Sequence, residues 1–438
     1  MNQRKTASFF YYKVKKQMEN IVVIGGGFAG LNLIKKLDHR RYRVMLVDRN
    51  NFQSFPPLFY QVASSGLAQE NIAFPFRREL KKLRNVSYHM GHVKGLDLGA
   101  CTVTTSYETL SYDRLVIAAG STNNFFGMEG LPENVFCIKT LAEAAHSRDE
   151  ILDRLERGAL CKDPARRREL LSFLVVGGGP AGVEIAGALG EMKKYVLPRE
   201  YPELDPADLR ITLIEGTGHL LGAMRPESQE KALRYLRELM VDVRLDTMMK
   251  GYADKHVTFA DGHTEYWETL IWTAGVMGEP IPGLPKECLG HGGRIVVDEY
   301  NRMKGYEESV CAIGDIALMT TEKYPKGHPQ MAQPAIQQAR LLARNLNSGE
   351  WKVKFRYRDK GSMATVGKNR AVADLPRMSF GGMMAWMAWM FIHLMSLLGM
   401  RNKLSVLLNW TWNYFTYSTS LRLLMRPTKF PLRRHWGD

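Results

Sequence analysis

The chain has 438 residues, of which 45% are hydrophobic and 24% charged, and its formal net charge is +15. The length suggests two or three domains. The composition is typical of a folded globular protein, which excludes bulk disorder and a polytopic membrane protein. A positive excess of this size favours an anionic partner, either nucleic acid or the surface of a membrane.

Residues 1–20 are basic and aromatic, without the continuous apolar core and cleavage site of a signal peptide. We expect an extension before the first strand, with Met18 as an alternative start, and a cytoplasmic body. The five cysteines lie far apart and form no CxxC, so a zinc site, an iron–sulfur site and a redox-active dithiol are disfavoured. Their odd number fits a reduced compartment, and we expect no metal.

The first recognisable unit is the β-branched run IVVI at Ile21–Ile24, followed by GGGFAG and LNLIKKL. This pattern predicts a buried strand, a tight glycine turn and a helix. Gly25 would permit the turn, Gly27 would let the backbone approach a pyrophosphate, and Gly30 would let the helix pack on the sheet. The free N–H groups of the helix N-terminus would then bind the phosphates. Asp48, which ends the next predicted strand, is placed to bind a ribose diol.

The same pattern returns at Phe173–Val176, FLVV, followed by GGGPAG and VEIAGAL. Gly177, Gly179 and Gly182 repeat the three glycine roles, and Gly177 lies 152 residues after its counterpart in the first unit. Each unit also carries a later strand that ends in a small-residue turn, at RLVIAAG and at TLIWTAG. Two copies in full context predict two dinucleotide-binding units.

Glu215 ends the second strand of the second unit, 33 residues beyond Gly182. The usual spacing is about 20 residues, and residues 190–209 account for the excess as a lengthened helix and a Pro-rich loop. A carboxylate at this place repels a 2′-phosphate, and no arginine follows until Arg225. The sequence therefore favours NADH over NADPH.

A third mark is the strand SVCAIGD at Ser309–Asp315, which ends in Gly-Asp. Together with the two glycine turns, it resembles the two-dinucleotide-fold flavoproteins. Within that superfamily the chain resembles the type II (alternative) NADH:quinone oxidoreductases. The resemblance runs from about Ile21 to about Pro427, and it rests on IVVIGGGFAGL, FPPLFYQVASSGL, VVGGGPAGVEIAGAL, AIGD, the AQPAIQ motif at Ala332–Gln337 and the Trp-rich tail at Ala385–Tyr417.

The resemblance implies one non-covalent FAD, NADH as the donor, and a membrane quinone, menaquinone or ubiquinone, as the acceptor, without proton pumping. For the fold it implies the α/β class, with two Rossmann-like dinucleotide-binding domains and a C-terminal helical membrane-attachment region. We expect an extension (1–20), an FAD-binding domain in two parts (21–140 and 296–375), an inserted NADH-binding domain (141–295) and membrane-anchoring helices (376–438).

The expected contacts follow from the same motifs. For FAD they are Gly25, Gly27, Phe28, Ala29, Gly30, Asp48, Ala119, Gly120, Gly314, Asp315, Ala332 and Gln333. For NADH they are Gly177, Gly179, Pro180, Ala181, Gly182, Glu184, Glu215, Ala274 and Gly275. Asp315 would bind the ribityl chain of FAD in such a protein.

Three residues are expected to act in catalysis. Pro334 suits the first turn of a helix, so Gln333 and Gln337 lie four residues apart on nearly one face. Two neutral amides can bind a quinone carbonyl and the flavin edge without bringing charge into an apolar tunnel. The resemblance places Glu184 near the nicotinamide, although a carboxylate at a helix N-terminus also stabilises the helix dipole.

The tail allows two interpretations. Residues 378–400 contain no Asp, Glu, Lys or Arg, and as one helix they would be about 35 Å long, enough to span a membrane. His393, the pair Gly381–Gly382 and the internal tryptophans argue against a span. The next segment is basic and amphipathic, with apolar residues at helical spacing: Leu404, Leu407, Leu408, Trp412 and Phe415. We favour attachment to an anionic surface on the cytoplasmic side of the inner membrane, with a homodimer as in relatives.

Other functions remain open, among them a sulfide:quinone oxidoreductase or another NAD(P)H-dependent flavoprotein reductase. A sulfide:quinone oxidoreductase needs paired cysteines near the flavin, whereas no two cysteines here are nearer than 23 residues. A non-enzymatic redox sensor or NADH-binding protein, or a nucleic-acid binder, would also fit parts of the pattern. The basic residues are not interleaved with aromatics in an RNA-reading motif and concentrate near the tail, so we expect no nucleic acid.

Overall fold

The computed structural model describes residues 18–128, 130–417 and 421–424. Two five-stranded parallel sheets form its body, and smaller, mostly antiparallel sheets accompany them. The strands up to the end of the second parallel sheet are β1 (Glu19–Ile24), β2 (Tyr42–Asp48), β3 (Phe52–Ser54), β4 (Ala73–Pro75), β5 (Val86–Met90), β6 (Val93–Asp97), β7 (Thr102–Thr105), β8 (Thr109–Ser111), β9 (Arg114–Ile117), β10 (Ser121–Asn123), β11 (Phe136–Cys137), β12 (Ser172–Val176), β13 (Arg210–Ile214), β14 (Asp242–Arg244), β15 (Met249–Ala253), β16 (His256–Phe259), β17 (Thr264–Tyr266) and β18 (Thr269–Trp272).

The later strands are β19 (Val276–Gly278), β20 (Leu289–Gly290), β21 (Arg294–Val296), β22 (Val310–Ala312), β23 (Ala317–Leu318), β24 (Ser362–Gly367), β25 (Arg370–Leu375) and β26 (Met378–Gly381). Among the later strands, β22 joins the first parallel sheet and the last three form a separate antiparallel sheet. The helices are α1 (Phe28–Ile34), α2 (Phe59–Ala63), α3 (Phe76–Leu80), α4 (Leu131–Asn134), α5 (Leu141–Leu160), α6 (Pro164–Leu170), α7 (Pro180–Glu191), α8 (Leu197–Glu200), α9 (Pro226–Glu238), α10 (Ala332–Ser348), α11 (Met383–Ser396) and α12 (Met400–Thr416). A π-helical turn, Met192–Val196, joins α7 to α8.

The first parallel sheet has the strand order β22-β9-β1-β2-β5. Its central strand is apolar at consecutive positions because both of its faces are covered. Ile21 and Val23 pack into the core that contains α1 and α10, whereas Val22 and Ile24 pack into the core on the opposite face. All strands of the second parallel sheet precede β22 in the chain, and β22 pairs with β9 of the first sheet. The second unit is therefore inserted into the first.

The second parallel sheet has the order β11-β18-β12-β13-β14 and repeats this plan. In each sheet the first strand of the unit lies between the next strand of its βαβ motif and a strand from later in the chain. Strand β1 lies between β2 and β9, and β12 lies between β13 and β18. A parallel sheet binds ligands where the strand order reverses, outside the carboxyl ends of the strands. Both glycine turns lie at such a point.

The alternative of one long helix over residues 378–400 is wrong. Met378–Gly381 pairs with β25 as the antiparallel strand β26. Gly382 (φ +73°) and Gly399 (φ +76°) take left-handed backbone conformations that end this strand and separate α11 from α12. Helix α11 therefore has only 14 residues. Over the described ranges, the chain has no helix that is both apolar enough and long enough to cross a bilayer.

Candidate functional site

The first glycine turn has the geometry that its sequence predicts. Gly25 takes φ +96°, and a Cβ there would lie 2.4 Å from the carbonyl oxygen of Ala118. A Cβ on Gly30 would lie 1.9 Å from the carbonyl oxygen of Gly25. By contrast, a Cβ on Gly27 would meet no atom within 4 Å. The chain thus needs glycine for its own packing at Gly25 and Gly30, whereas the space beside Gly27 is open to a ligand.

The second turn repeats these relations almost atom for atom. Gly177 takes φ +108°, and a Cβ there would lie 2.7 Å from the Cα of Ala274. A Cβ on Gly182 would lie 1.8 Å from the carbonyl oxygen of Gly177. The space beside Gly179 is again open within 4 Å. The two halves therefore carry the same cradle, built around one sterically free glycine.

Both helices that follow the turns begin without a side-chain cap. Gly27 and Gly179 are the N-cap residues of α1 and α7, and neither has a side chain that could accept a hydrogen bond from the first helical turn. The N–H groups of the first helical turn lack intrahelical partners and carry the positive end of the helix dipole. They can bind a pyrophosphate. Phe28 and Ala29 stand at the start of α1, and Pro180 and Ala181 at the start of α7.

Asp48 and Glu215 each accept a hydrogen bond from the glycine directly before the N-cap glycine of their own turn. Asp48 Oδ2 accepts a hydrogen bond from the N–H of Gly26 at 2.7 Å, and Glu215 Oε2 accepts one from the N–H of Gly178 at 2.7 Å. Burial raises the pKa of Asp48, against which the Gly26 hydrogen bond acts. A carboxylate has about four lone-pair sites, so each acid keeps acceptor capacity for a ribose diol beside the turn.

We predict that Glu215→Gln raises the NADPH/NADH ratio of kcat/KM by roughly tenfold or more. The neutral amide keeps an acceptor for the Gly178 N–H but removes a charge whose repulsion of a 2′-phosphate is on the order of 1–4 kcal/mol. Steady-state rates with both nucleotides measure the ratio. The matched control is Glu230→Gln on the exposed surface of α9. An unchanged ratio in Glu215→Gln would show that another group sets the nucleotide preference.

The Gly-Asp mark, Gly314–Asp315, lies beside residues 121–139, which connect the two units. Asp315 Oδ2 accepts a hydrogen bond from the Ser121 hydroxyl at 2.6 Å, and the ammonium of Lys139 donates to the same hydroxyl at 2.7 Å. Burial lowers the pKa of Lys139, while Asp315 opposes this shift. The N–H of Gly314 donates to Gln338 Oε1 at 2.7 Å. Sequence reasoning missed Ser121, Lys139 and Gln338; the last directly follows the AQPAIQ motif.

The remaining turn residues lie beside the two cradles. Ala119 and Gly120 follow β9, whose neighbour Ala118 contacts Gly25. Ala274 contacts Gly177 in the same way, and the Thr273 hydroxyl donates to the carbonyl oxygen of Val176 at 2.8 Å. The strand-end turns are therefore packed against the glycine turns, one pair in each unit.

Gln333 and Gln337 lie on one side of α10, but both amides bind the chain itself. Gln333 donates to the carbonyl oxygen of Gly361 at 2.9 Å and accepts from the N–H of Lys360 at 3.1 Å. Gln337 donates to the carbonyl oxygen of Arg358 at 2.9 Å and accepts from the N–H of the same residue at 3.0 Å. The pair braces the segment before β24, and its contact with a quinone stays a prediction. Ala332 begins the helix.

A cavity opens between the second unit and the tail. It is bounded by α2, α7, β24, α11 and α12, and its lining includes Tyr60, Gln61, Glu184, Glu191, Thr365, Lys368, Trp386, Trp389, Trp410, Tyr414 and Tyr417. The predicted Glu184 lies in this wall, whereas Gln333 and Gln337 do not. Sequence reasoning assigned no role to Tyr60 and Gln61, although both stand in the FPPLFYQVASSGL stretch, and it missed Glu191.

Two carboxyl groups face the cavity from one helix. Glu184 and Glu191 are seven residues, or about two helical turns, apart on α7, which places them on one side of it. Burial raises the pKa of Glu184 well above its usual value, against the hydrogen bond from the backbone of Thr365. Burial also raises the pKa of Glu191, which accepts a hydrogen bond from the N–H of Lys368 at 2.6 Å. The cavity thus combines aromatic walls with carboxyl groups that resist ionisation.

An apolar face covers the outside of the last two helices. Its exposed side chains are Met383, Met384, Met387, Phe391, Ile392, Met395, Met400, Leu404, Leu407, Leu408, Trp412 and Phe415. The opposite side of α12 is buried through Val406 and Trp410. All five positions that the sequence assigned to an amphipathic face are exposed. Within the described ranges, no group of three or more His, Cys, Asp or Glu residues could hold a metal ion.

Comparisons with known proteins agree with this arrangement. Residues 19–339 match the family model of the pyridine nucleotide-disulphide oxidoreductases, and residues 360–417 match that of the NDH2 C-terminal domain. The chain is 34% identical to the type II NADH:quinone oxidoreductase Ndh of Mycobacterium tuberculosis, over 90% of this chain and 88% of the relative. It is 26% identical to the external NADH-ubiquinone oxidoreductase 2 of Saccharomyces cerevisiae, over 91% of this chain and 81% of the relative.

Solved structures share the fold. NDH2 from Plasmodium falciparum in complex with NADH superposes with a TM-score of 0.85 at 19% identity, covering 94% of this chain and all of that one. The sulfide:quinone oxidoreductase from Aquifex aeolicus superposes with a TM-score of 0.70 at 18% identity, covering 92% of this chain and 96% of that one. The sequence relatives favour an NADH donor over sulfide.

Proposed function

Because the chain belongs to the type II NADH:quinone oxidoreductases, flavoenzymes with FAD as cofactor and NADH as substrate, we propose that the cavity between α2, α7 and α12 is where its quinone is reduced. The observation that carries this proposal is the course of α7. The helix begins at the open glycine of the second turn, and its side chains Glu184 and Glu191 reach the cavity. One rigid element therefore connects the proposed NADH and quinone sites.

The open cradles fit the two dinucleotides. We propose that Gly27, the free N–H groups of α1, Asp48 and Asp315 hold FAD, and that Gly179, the N–H groups of α7 and Glu215 hold NADH. Bound FAD supplies a two-electron carrier between the nicotinamide and the quinone. The chain's own part is to fix both ligands against the turns and to shield the transfer from water.

Glu184 is proposed to hold the proton that the reaction consumes. NADH, one proton and a quinone give NAD⁺ and a quinol, so one proton must come from outside the donor. Burial keeps the carboxyl of Glu184 protonated at pH values where an exposed glutamate is ionised, because its pKa is raised. A neutral acid at the cavity wall can therefore donate a proton to a quinone oxygen.

We predict that Glu184→Gln slows flavin oxidation by quinone by about 10²-fold, the lower end of general acid catalysis. In the unmodified protein, this half-reaction should slow as pH rises through the raised pKa of Glu184, because only the protonated form donates. The variant should lack that pH dependence. Stopped-flow absorbance separates the two half-reactions. Slowing confined to flavin reduction by NADH would instead assign Glu184 to the nicotinamide.

The apolar face of α11 and α12 is proposed to lie on an anionic leaflet at the cytoplasmic side of the inner membrane. Burial lowers the pKa of His393 to about 4, so this residue stays uncharged at neutral pH. Arg401 is exposed at the start of α12 and is free to meet lipid phosphates, whereas Arg422 is paired with Glu200 at 2.7 Å. The further basic residues Arg426, Lys429, Arg433 and Arg434, like residues 1–17, lie outside the described residues.

The proposal also includes a homodimer, which the family resemblance implies, and either menaquinone or ubiquinone as the acceptor. Both quinones offer two carbonyl oxygens and an isoprenoid tail to an aromatic-walled cavity. Steady-state NADH oxidation with a panel of the two quinone classes measures the preference. Sedimentation velocity in detergent measures the subunit number.

A further inference from the structure

A hydrogen-bonded chain connects the tail helix to the cavity wall. The indole N–H of Trp410, on α12, donates to Gln61 Oε1 at 2.8 Å. The amide Nε2 of Gln61 then donates to the hydroxyl oxygen of Tyr60 at 2.8 Å. Trp410 and Tyr60 are both buried. This chain of hydrogen bonds thus connects two segments of the protein that are 349 residues apart in sequence.

The chemistry of these groups gives the chain one direction. An indole N–H donates and never accepts, so the atom of Gln61 that faces Trp410 must be its carbonyl oxygen. The amide nitrogen of Gln61 is then turned toward Tyr60. Because Tyr60 accepts this hydrogen bond, its own hydroxyl hydrogen is left to donate elsewhere.

The surroundings of Tyr60 keep its hydroxyl protonated within the cavity wall. Tyr60 and Glu184 line the same cavity. Burial raises the pKa of Tyr60 well above its usual value, so the phenol keeps its hydrogen. The ring is held edge-on to Trp389, with centroids 6.3 Å apart. The Tyr60 hydroxyl therefore keeps a hydrogen to donate, and its ring packs against Trp389.

Helix α12 is anchored on both sides of Trp410 to the segment that follows Tyr60. Asn402 donates to the carbonyl oxygen of Ala73 at 2.9 Å, the Ser405 hydroxyl donates to Asn71 Oδ1 at 2.8 Å, and Asn413 donates to the carbonyl oxygen of Gly66 at 3.3 Å. These contacts keep the indole within reach of Gln61. Removal of the helix would free the Gln61 amide to rotate.

We propose that Trp410 and Gln61 are positioning residues that hold the Tyr60 hydroxyl as a hydrogen-bond donor to a carbonyl oxygen of the quinone. The inference rests on the proposed assignment of the cavity to quinone. It adds that the helix carrying the apolar outer face also sets the polarity of a donor inside.

The test is a double-substitution cycle with Tyr60→Phe, Trp410→Phe and the double variant, assayed with a short-chain ubiquinone. Each single substitution removes one hydrogen bond and should lower kcat/KM for the quinone by about fivefold. The double variant should be no slower than Tyr60→Phe, because Trp410 acts only through that hydroxyl. Flavin reduction by NADH, measured by stopped flow, should keep its rate in all three.

The rates of the single and double variants distinguish failure of the hydrogen-bonded chain from failure of the cavity assignment. If Tyr60→Phe leaves quinone reduction unchanged, its hydroxyl is not the donor and the inference is refuted. The cavity assignment then depends on Glu184→Gln, and an unchanged rate of flavin oxidation by quinone in that variant would refute the cavity as well. If both single variants are slow and their effects multiply to about 25-fold, the cavity assignment stands and the directed chain is refuted. A full quinone rate in Trp410→Phe beside a slow Tyr60→Phe refutes it as well.

Gln61→Glu supplies a second test that keeps the indole in place. At low pH the new carboxyl is protonated, so it can accept from Trp410 and donate to Tyr60 as the amide does. When it ionises it can only accept, and the Tyr60 hydroxyl must turn away from the cavity. We expect kcat/KM relative to the unmodified protein to be near one at low pH and to fall about fivefold as pH rises. A ratio independent of pH overturns the proposal.

Discussion

Gly27→Val is expected to yield a folded protein that is isolated without flavin and is therefore colourless. The new side chain meets no protein atom near its Cβ, since the space around Gly27 is empty within 4 Å. That space is where the pyrophosphate of FAD lies if the first turn has its usual role. The substitution should thus remove the ligand without disturbing the fold.

Gly179→Val should have the complementary effect in the second unit. Its Cβ also has free space within 4 Å, so the flavin should stay bound and the protein yellow. We expect the apparent KM for NADH to rise at least about 100-fold, since the side chain occupies the pyrophosphate space of the donor. Flavin absorbance and steady-state kinetics read out the two variants.

Gly95→Val is the control for the two substitutions in the glycine turns. Gly95→Val introduces the same side chain at another glycine with no atom within 4 Å of its Cβ, in β6 away from both turns. This control should keep both flavin and NADH affinity. If Gly179→Val loses the flavin and Gly27→Val retains it, the order of the two dinucleotide sites along the chain is the reverse of the proposed one.

The glycine turns could be predicted from sequence because their geometry is set over a few residues. Gly25 and Gly30 contact each other or a strand-end turn, and the second unit repeats both contacts. Such short-range constraints leave a readable pattern. The positions of Asp48 and Glu215 beside the turns could be predicted for the same reason, since each lies at the end of a neighbouring strand. Their contacts with a ribose stay a prediction.

The cavity could not be predicted in this way. Its wall combines Tyr60, Glu184, Lys368 and Trp410, which come from four separate segments of the chain. No local spacing rule relates such distant positions. A related limit applies to Gln337, whose helix face was predicted from its spacing, although its amide binds the backbone of Arg358. Periodicity gives the face of a helix but not the partner of that face.

Hydropathy likewise left the tail ambiguous. Residues 378–400 carry no charge, and this composition fits a membrane span as well as a surface helix. The decision depends on Gly382 and Gly399, whose left-handed backbone breaks the segment into a strand and two helices. Pairing of β26 with β25 then fixes α11 beside the antiparallel sheet. These long-range contacts carry no signature in a hydropathy window.

The triple substitution Leu404→Glu, Leu408→Glu and Phe415→Glu is expected to move most of the protein from membranes into the supernatant. These side chains are 55%, 61% and 78% exposed, so their replacement removes few contacts within the protein. Burying such side chains in an apolar phase contributes about 1.5–3 kcal/mol each. Three carboxylates also add repulsion from anionic lipid on the order of 1 kcal/mol per charge.

Co-sedimentation with vesicles that contain anionic lipid measures this effect, and three exposed apolar positions elsewhere provide the control. Leu160→Glu, Tyr107→Glu and Met240→Glu add the same charge outside α11 and α12 and should leave membrane binding nearly unchanged.

NADH oxidation with a short-chain quinone should persist in the tail variant, because Trp410 and the cavity lie on the opposite side of α12. High salt should release the unmodified protein only in part, since salt screens the charges but not the apolar contact. A tail variant that still sediments like the unmodified protein would place the membrane contact on another surface.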